Sequence, residues 1–334
     1  MKTHEFLTSF LLIIFLQSIC SVCFAVDENH PGYHIIKGVP QTPGYNSEYI
    51  FKNTPDDIPF IITFSLNKLL NDPEIVEIER EAFQTIQKDN ASQLLATGKN
   101  FVEHLVKNYG VTFEKDAYLT NGLYFDRYRK FLDQKFNISD LNRFGINLDP
   151  NSKIIFSWGR CSVAKGFKEL LEAWQDVVES LPDYHLIIQS PNNSGEDSYF
   201  RLLKEYEQNI PRTIVIDDFN PEIWQTVLRT QNTDIVCIPS VMDPNPHTAI
   251  EAKLFSTGTR YVIVGSNADG VKDTYINDEC LWVNPYDKKD FSNSLIKASK
   301  LSEEERQKMN EVNNKNLSNY DYAKNIKDFL KNVE

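Results

Sequence analysis

From residue 153 onward the chain alternates short apolar runs with amphipathic stretches. The runs are 154–158 (IIFSW), 185–189 (HLIIQ), 213–216 (TIVI), 234–238 (DIVCI), 261–264 (YVIV) and 280–283 (CLWV). Each has the length of a buried strand rather than of a helix. Between several of them, helical spacing predicts helices over 168–180, 199–208, 221–230 and 248–256. Strand and helix alternating at this interval predict a parallel sheet covered on both faces. Helices over 290–300, 302–317 and 320–331 close the chain, and Ser302 followed by Glu303, Glu304 and Glu305 predicts an N-terminal cap.

Upstream the pattern is weaker. The stretch 27–59 is rich in Pro, Gly, Asn and Tyr without strand or helix period, and it predicts loop. A strand is expected over 60–64, a polar helix over 74–88 and an amphipathic helix over 101–109, stopped by Gly110. A strand over 116–119 would run into the Asn121-Gly122 turn. Residues 126–149 are charged and irregular, and Asp149-Pro150-Asn151 marks an expected boundary. The first 25 residues have a polar start, an apolar run over 6–16 and small residues near Ala25, the pattern of a signal peptide, with an uncleaved anchor as the alternative. The expected organisation is therefore a leader over 1–25, a shortened α/β domain over 26–150 and a larger α/β domain over 151–334.

Composition narrows the partners. With 35 Lys and Arg against 47 Asp and Glu, the net charge is -12, which argues against nucleic acid. Of five cysteines, Cys20 and Cys23 fall in the leader, leaving Cys161, Cys237 and Cys280 widely spaced and odd in number. That is no disulfide framework and no metal-ligand spacing. Sequons at Asn90, Asn137, Asn192 and Asn316 would be acceptors in a eukaryotic lumen.

Candidate chemistry gathers just after the predicted strands, at the sheet edge where ligands of such folds bind. After the first strand come Gly159-Arg160 and then Lys165-Gly166 at a helix start, a pair of cations suited to phosphate. No Walker loop and no GxGxxG fingerprint is present, which sets aside a dinucleotide-dependent oxidoreductase. After the fourth strand, Pro239-Ser240 leads to Asp243, and a helix opening near Pro246, His247 and Thr248 presents Glu251 in its first turn. Two carboxylates and a helix N-terminus suit a ligand carrying both hydroxyls and phosphate.

The segments FSWGRCSVAKGFKELLEAW, DIVCIPSVMDPNPHTAIEAKLFSTGT and RYVIVGSNADGVKDTY, in this order, resemble the C-terminal domain of retaining GT-B glycosyltransferases of the family 4 type. The resemblance spans about 152–330. It implies a GT-B-like fold, a Rossmann-like C-terminal sheet beside a reduced N-terminal α/β domain. By that resemblance Arg160 and Lys165 neutralise the diphosphate of a UDP- or GDP-sugar, Glu251 binds ribose hydroxyls, Asp243 holds hydroxyls of the transferred sugar, and the backbone around Gly159, Pro246, His247 and Thr248 meets sugar and phosphate. It further implies no cofactor and no metal, a hydroxyl acceptor on a glycan, lipid or protein, and membrane contact only through an uncleaved leader.

Three positions depart from the pattern. Asp243 stands where the family has Glu, His247 where a small residue or Pro is usual, and Ser190-Pro191-Asn192-Asn193 replaces a Gly-Asp-Gly turn. The shortened first half gives a second reading, a non-catalytic relative that binds a nucleotide-sugar or a partner without transfer. The leader directs either protein to the endoplasmic reticulum or Golgi lumen, or to export.

Overall fold

The computed structural model describes residues 99–110, 112, 122–192, 197–241, 243, 246–275 and 279–325. The expectations for the leader and for 27–59, 60–64, 74–88 and 116–119 lie outside these residues. The chain divides into two compact units, Met1–Leu95 with Glu103–Ala117, and Ala96–Val102 with Tyr118–Glu334. Of the first unit, the described residues belong mainly to helix α1 (Lys99–Tyr109), which ends at Gly110 as its sequence predicts. Among the described residues no helix is long and apolar enough to cross a membrane.

The second unit is built on six strands: β1 (Lys153–Trp158), β2 (Tyr184–Gln189), β3 (Thr213–Ile216), β4 (Thr233–Ile238), β5 (Val262–Ser266) and β6 (Leu281–Val283). All neighbours are parallel, in the order β3-β2-β1-β4-β5-β6. Helices α2 (Phe167–Val177), α3 (Asp197–Asn209), α4 (Pro221–Arg229), α5 (His247–Phe255), α6 (Asp269–Thr274), α7 (Lys288–Lys300) and α8 (Glu303–Lys315) connect and follow the strands. The order reverses between β1 and β4, so the crossovers leave this pair on opposite faces of the sheet. A crevice opens outside their carboxyl ends, the place where ligands bind in such folds.

Strand alternation divides the core. Ile154, Phe156 and Trp158 of β1, with Val236 and Ile238 of β4, pack on one face beneath α4 and α5. Ile155, Ile235 and Cys237 point to the other, against α2, α3 and α7. Cys161, Cys237 and Cys280 are all buried.

Helix ends follow local chemistry. Asn220 caps α4 through its side chain at 3.0 Å, with Pro221 in the first turn. At α8, Ser302 and Glu305 form the reciprocal box, Glu305 N donating to Ser302 Oγ at 3.3 Å and Ser302 N to Glu305 Oε2 at 2.8 Å.

Two features depart from the expectations. Residues 126–149 are not irregular throughout: they fold into 3-10 turns at Phe125–Arg127 and Ile138–Phe144 and one helical turn at Arg129–Leu132. Leu123, Ile138, Leu141 and Ile146 join the core cluster under β1 and β4, so the boundary expected at 150–151 falls inside this unit. The apolar residues there are spaced too unevenly to show a period. Helix α6 was absent from the prediction because its six residues, DGVKDT, hold a Gly and two Asp and only one large apolar side chain.

Candidate functional site

Two loops meet at the switch point. The first follows β1 and passes Gly159 and Arg160 to a 3-10 turn, Val163–Lys165, that leads into α2. The second follows β4 through Pro239, Ser240 and Asp243 into α5. They are joined directly, Val241 N donating to Ala164 O at 2.9 Å. Gly166, with φ +68°, lies so close to the second loop that an added Cβ would stand 1.9 Å from Pro239 O. Only glycine allows both that backbone conformation and that approach. Gly159 also has a positive φ, +152°, which favours glycine, whereas a Cβ there would make only ordinary contacts with Lys165 Cδ at 3.4 Å and Phe167 at 3.5 Å. Ser266 Oγ, at the end of β5, donates to Ser240 O at 2.6 Å and braces the second loop.

Across this junction Lys165 Nζ meets Asp243 Oδ2 at 2.6 Å, with the two side chains 13% and 15% exposed. A pair this shielded is screened less than a surface pair, so each partner holds the other in place. Three residues on, at Pro246, no side chain caps the start of α5, whose first turn carries His247 and Thr248. Burial and the neighbouring Lys165 charge hold the His247 imidazole below its usual range, opposed by Asp243. Both of the larger effects favour the neutral imidazole.

Glu251, one turn into α5, accepts from the indole N–H of Trp158, Nε1 to Oε2 at 2.8 Å. Burial pushes its carboxyl up to about 7, while the Trp158 bond and the Lys165 charge pull the other way. Burial and the Glu251 charge push Tyr128 well above its ordinary range. Tyr128, Trp158 and Lys165 are thus the groups that set the carboxylate's environment.

The structure therefore brings Lys165, Asp243, His247 and Glu251 around one position, with Pro246 and Thr248 at the helix start beside them. Arg160 sits on the same loop, partly exposed, with no hydrogen bond or ion pair among the described residues. Trp158 and Tyr128 were not singled out from sequence. Trp158 lies on the core face with Ile154 and Phe156, and its hydrogen-bond partner lies 93 positions away. Among the described residues no group of three or more His, Cys, Asp or Glu side chains could hold a metal ion. A separate cleft of about 260 Å³ lies before β5, lined by Gly258, Thr259, Glu303, Gln307 and Asn314 among others. Its lining has carboxylates and no Lys or Arg, a poor match to a diphosphate.

A six-stranded parallel sheet with a crevice at its switch point places the chain in the α/β class, and comparison with known proteins specifies the family. The profile of glycosyl transferases group 1 matches residues 139–316, which contain Trp158, Arg160, Lys165, Asp243, His247 and Glu251 but not Tyr128. The chain belongs to this family. An uncharacterized glycosyltransferase of Haemophilus influenzae is 31% identical over 107 residues, a match covering 31% of this chain and only 28% of that protein. Among solved structures, apo OtsA superposes with a TM-score of 0.66 at 15% identity, covering 86% of this chain and 69% of the other. A glycosyltransferase of Rickettsia africae gives 0.59 at 15% identity, over 85% and 86%. The UDP-forming alpha,alpha-trehalose-phosphate synthase of Burkholderia vietnamiensis gives 0.62 at 15% identity, over 82% and 65%. At such identities the likeness is one of fold, and the fold shared is GT-B-like.

Proposed function

We propose that this chain transfers a sugar, with retention of anomeric configuration, from a UDP- or GDP-sugar to a hydroxyl acceptor on a glycan, lipid or protein. The observation that carries the reading is the Lys165–Asp243 pair set beside Glu251 at the carboxyl ends of β1 and β4. Family membership supports it, as does the fold shared with the UDP-forming synthase of Burkholderia vietnamiensis.

In this reading Lys165 has three ammonium donors, of which one goes to Asp243, leaving two for diphosphate oxygens. Arg160 adds a guanidinium fork from the same loop. Asp243 keeps Oδ1 for a hydroxyl of the transferred sugar, and ionised Glu251 accepts from ribose hydroxyls. The His247 and Thr248 amides at the uncapped start of α5 favour negative charge. As the bond between the anomeric carbon and phosphate breaks, charge grows on the leaving diphosphate, and these fixed donors stabilise it without a metal. The acceptor oxygen then bonds to the anomeric carbon on the face the phosphate is leaving. Its proton passes to a phosphate oxygen, releasing the nucleoside diphosphate.

The test is a melting scan with UDP- and GDP-sugars, combined with a donor-hydrolysis assay. A saturating donor is expected to raise Tm by several degrees in the wild type, and Arg160→Ala with Glu251→Ala to abolish the rise. Slow donor hydrolysis is expected alongside. A shift without any turnover would favour a non-catalytic binder, and no shift with either nucleotide would overturn both readings.

A further inference from the structure

Trp158 is the last residue of β1 and is 5% exposed, so its simplest role is packing. Its surroundings are more specific than packing requires. The indole is stacked on Phe156, with centroids 5.3 Å apart and planes 9° apart, and on Trp224 at 5.7 Å and 7°. Trp224 is in turn held edge-on by Phe255 at 5.2 Å and 61°. Tyr128 closes the same cluster, tilted on Trp224 at 6.0 Å and edge-on to Phe255 at 5.9 Å. The ring can neither slide nor flip without dismantling this stack.

The only polar atom of that locked ring is Nε1, and it is spent on Glu251 Oε2 at 2.8 Å. A glutamate otherwise loses several rotamers when it binds a ligand, which weakens the gain from each hydrogen bond it makes. Here one oxygen is fixed in advance, and Oε1 accepts from no donor among the described residues.

Resting on the reading of Glu251 as the ribose acceptor, we infer that Trp158 is a positioning residue. Its indole N–H orients the Glu251 carboxylate so that the 2′- and 3′-hydroxyls of the donor's ribose are recognised together. Discrimination between a ribose and a sugar lacking those hydroxyls is therefore set in part by a residue that does not touch the ligand. The N–H also favours the ionised carboxylate, the form that accepts from both hydroxyls at once.

The experiment compares UDP and GDP with their 2′,3′-dideoxy analogues by calorimetric titration at pH 8, on the wild-type chain and on Trp158→Phe. Phenylalanine keeps an aromatic ring in the stack and removes the donor together with one of the two fused rings. The wild type is expected to prefer the ribo form by about tenfold or more, and Trp158→Phe to reduce that preference to about threefold or less. A merely structural Trp158 would lower stability and leave the preference intact, and that result would overturn the inference while sparing the proposed function. A wild type that binds both forms equally would overturn the ribose reading of Glu251 and the inference with it. If Trp158→Phe does not fold, the indole ¹⁵N–¹H spectrum serves instead. Glu251→Gln and added UDP are each expected to move the same resonance among the four tryptophans. Four unmoved resonances would overturn the inference.

Discussion

Gly166→Ala is expected to destabilise the protein by roughly 3–5 kcal/mol and to eliminate donor binding in whatever fraction still folds. Two effects add. The left-handed backbone, φ +68°, costs a non-glycine residue about 1–2 kcal/mol. The new Cβ would lie 1.9 Å from Pro239 O and 2.8 Å from Pro239 C, backbone atoms that cannot rotate away. Relief requires the two loops to separate, which breaks the Val241–Ala164 hydrogen bond and carries Lys165 away from Asp243. Urea unfolding followed by donor titration measures both. A variant with wild-type midpoint and affinity would show that the junction tolerates a methyl group and that its closeness is not needed.

The second large effect is remote from the ligand. Lys253 on α5 is fully buried and donates to Glu279 Oε2 at 2.7 Å and to Thr274 O at 3.1 Å, with its ammonium over the rings of Tyr275 and Tyr320. Asn316 holds the other Glu279 oxygen at 2.8 Å, so the pair ties α5, the segment before β6 and the end of α8 together. Lys253→Ala leaves an uncompensated buried carboxylate and is expected to cost about 3–5 kcal/mol. Lys253→Met with Glu279→Leu removes both charges and is expected to recover most of that loss. A double-mutant cycle by urea denaturation decides the matter. If the double variant is as unstable as the sum of the single ones, the two charges are not coupled.

The sheet was legible because each strand is a compact apolar run and each intervening helix has a clear stripe. TIVI is found at Thr213–Ile216 as predicted, and α5 begins one residue earlier than expected, at His247. The positions of Lys165, Asp243, His247 and Glu251 were legible for the same reason: each follows a strand, and parallel strands bring their carboxyl ends to one edge. Pairings were not. Nothing local links Trp158 to Glu251 or Lys165 to Asp243, since these contacts depend on β1 and β4 being neighbours. Lys253 did give a signal, a second charge beside Glu251 in a stretch otherwise made of Ala249, Ile250, Ala252, Leu254 and Phe255, but its partner Glu279 is 26 residues away. The packing of 126–149 was hidden because 3-10 turns bury isolated side chains such as Ile138 and Leu141 without a repeat.

Whether Glu251 and its neighbours grip a nucleotide-sugar is decided by calorimetric titration of the full chain with UDP-glucose and GDP-mannose from pH 6 to 8.5. These diphosphate diesters do not titrate in that range, whereas a carboxyl pushed up to about 7 does. Only its ionised form accepts from two hydroxyls, so the better of the two donors is expected to bind about tenfold more tightly at pH 8.5 than at pH 6, and equally at both in Glu251→Gln. Failure of both donors to bind, or an affinity that ignores pH in the wild type, would contradict the account.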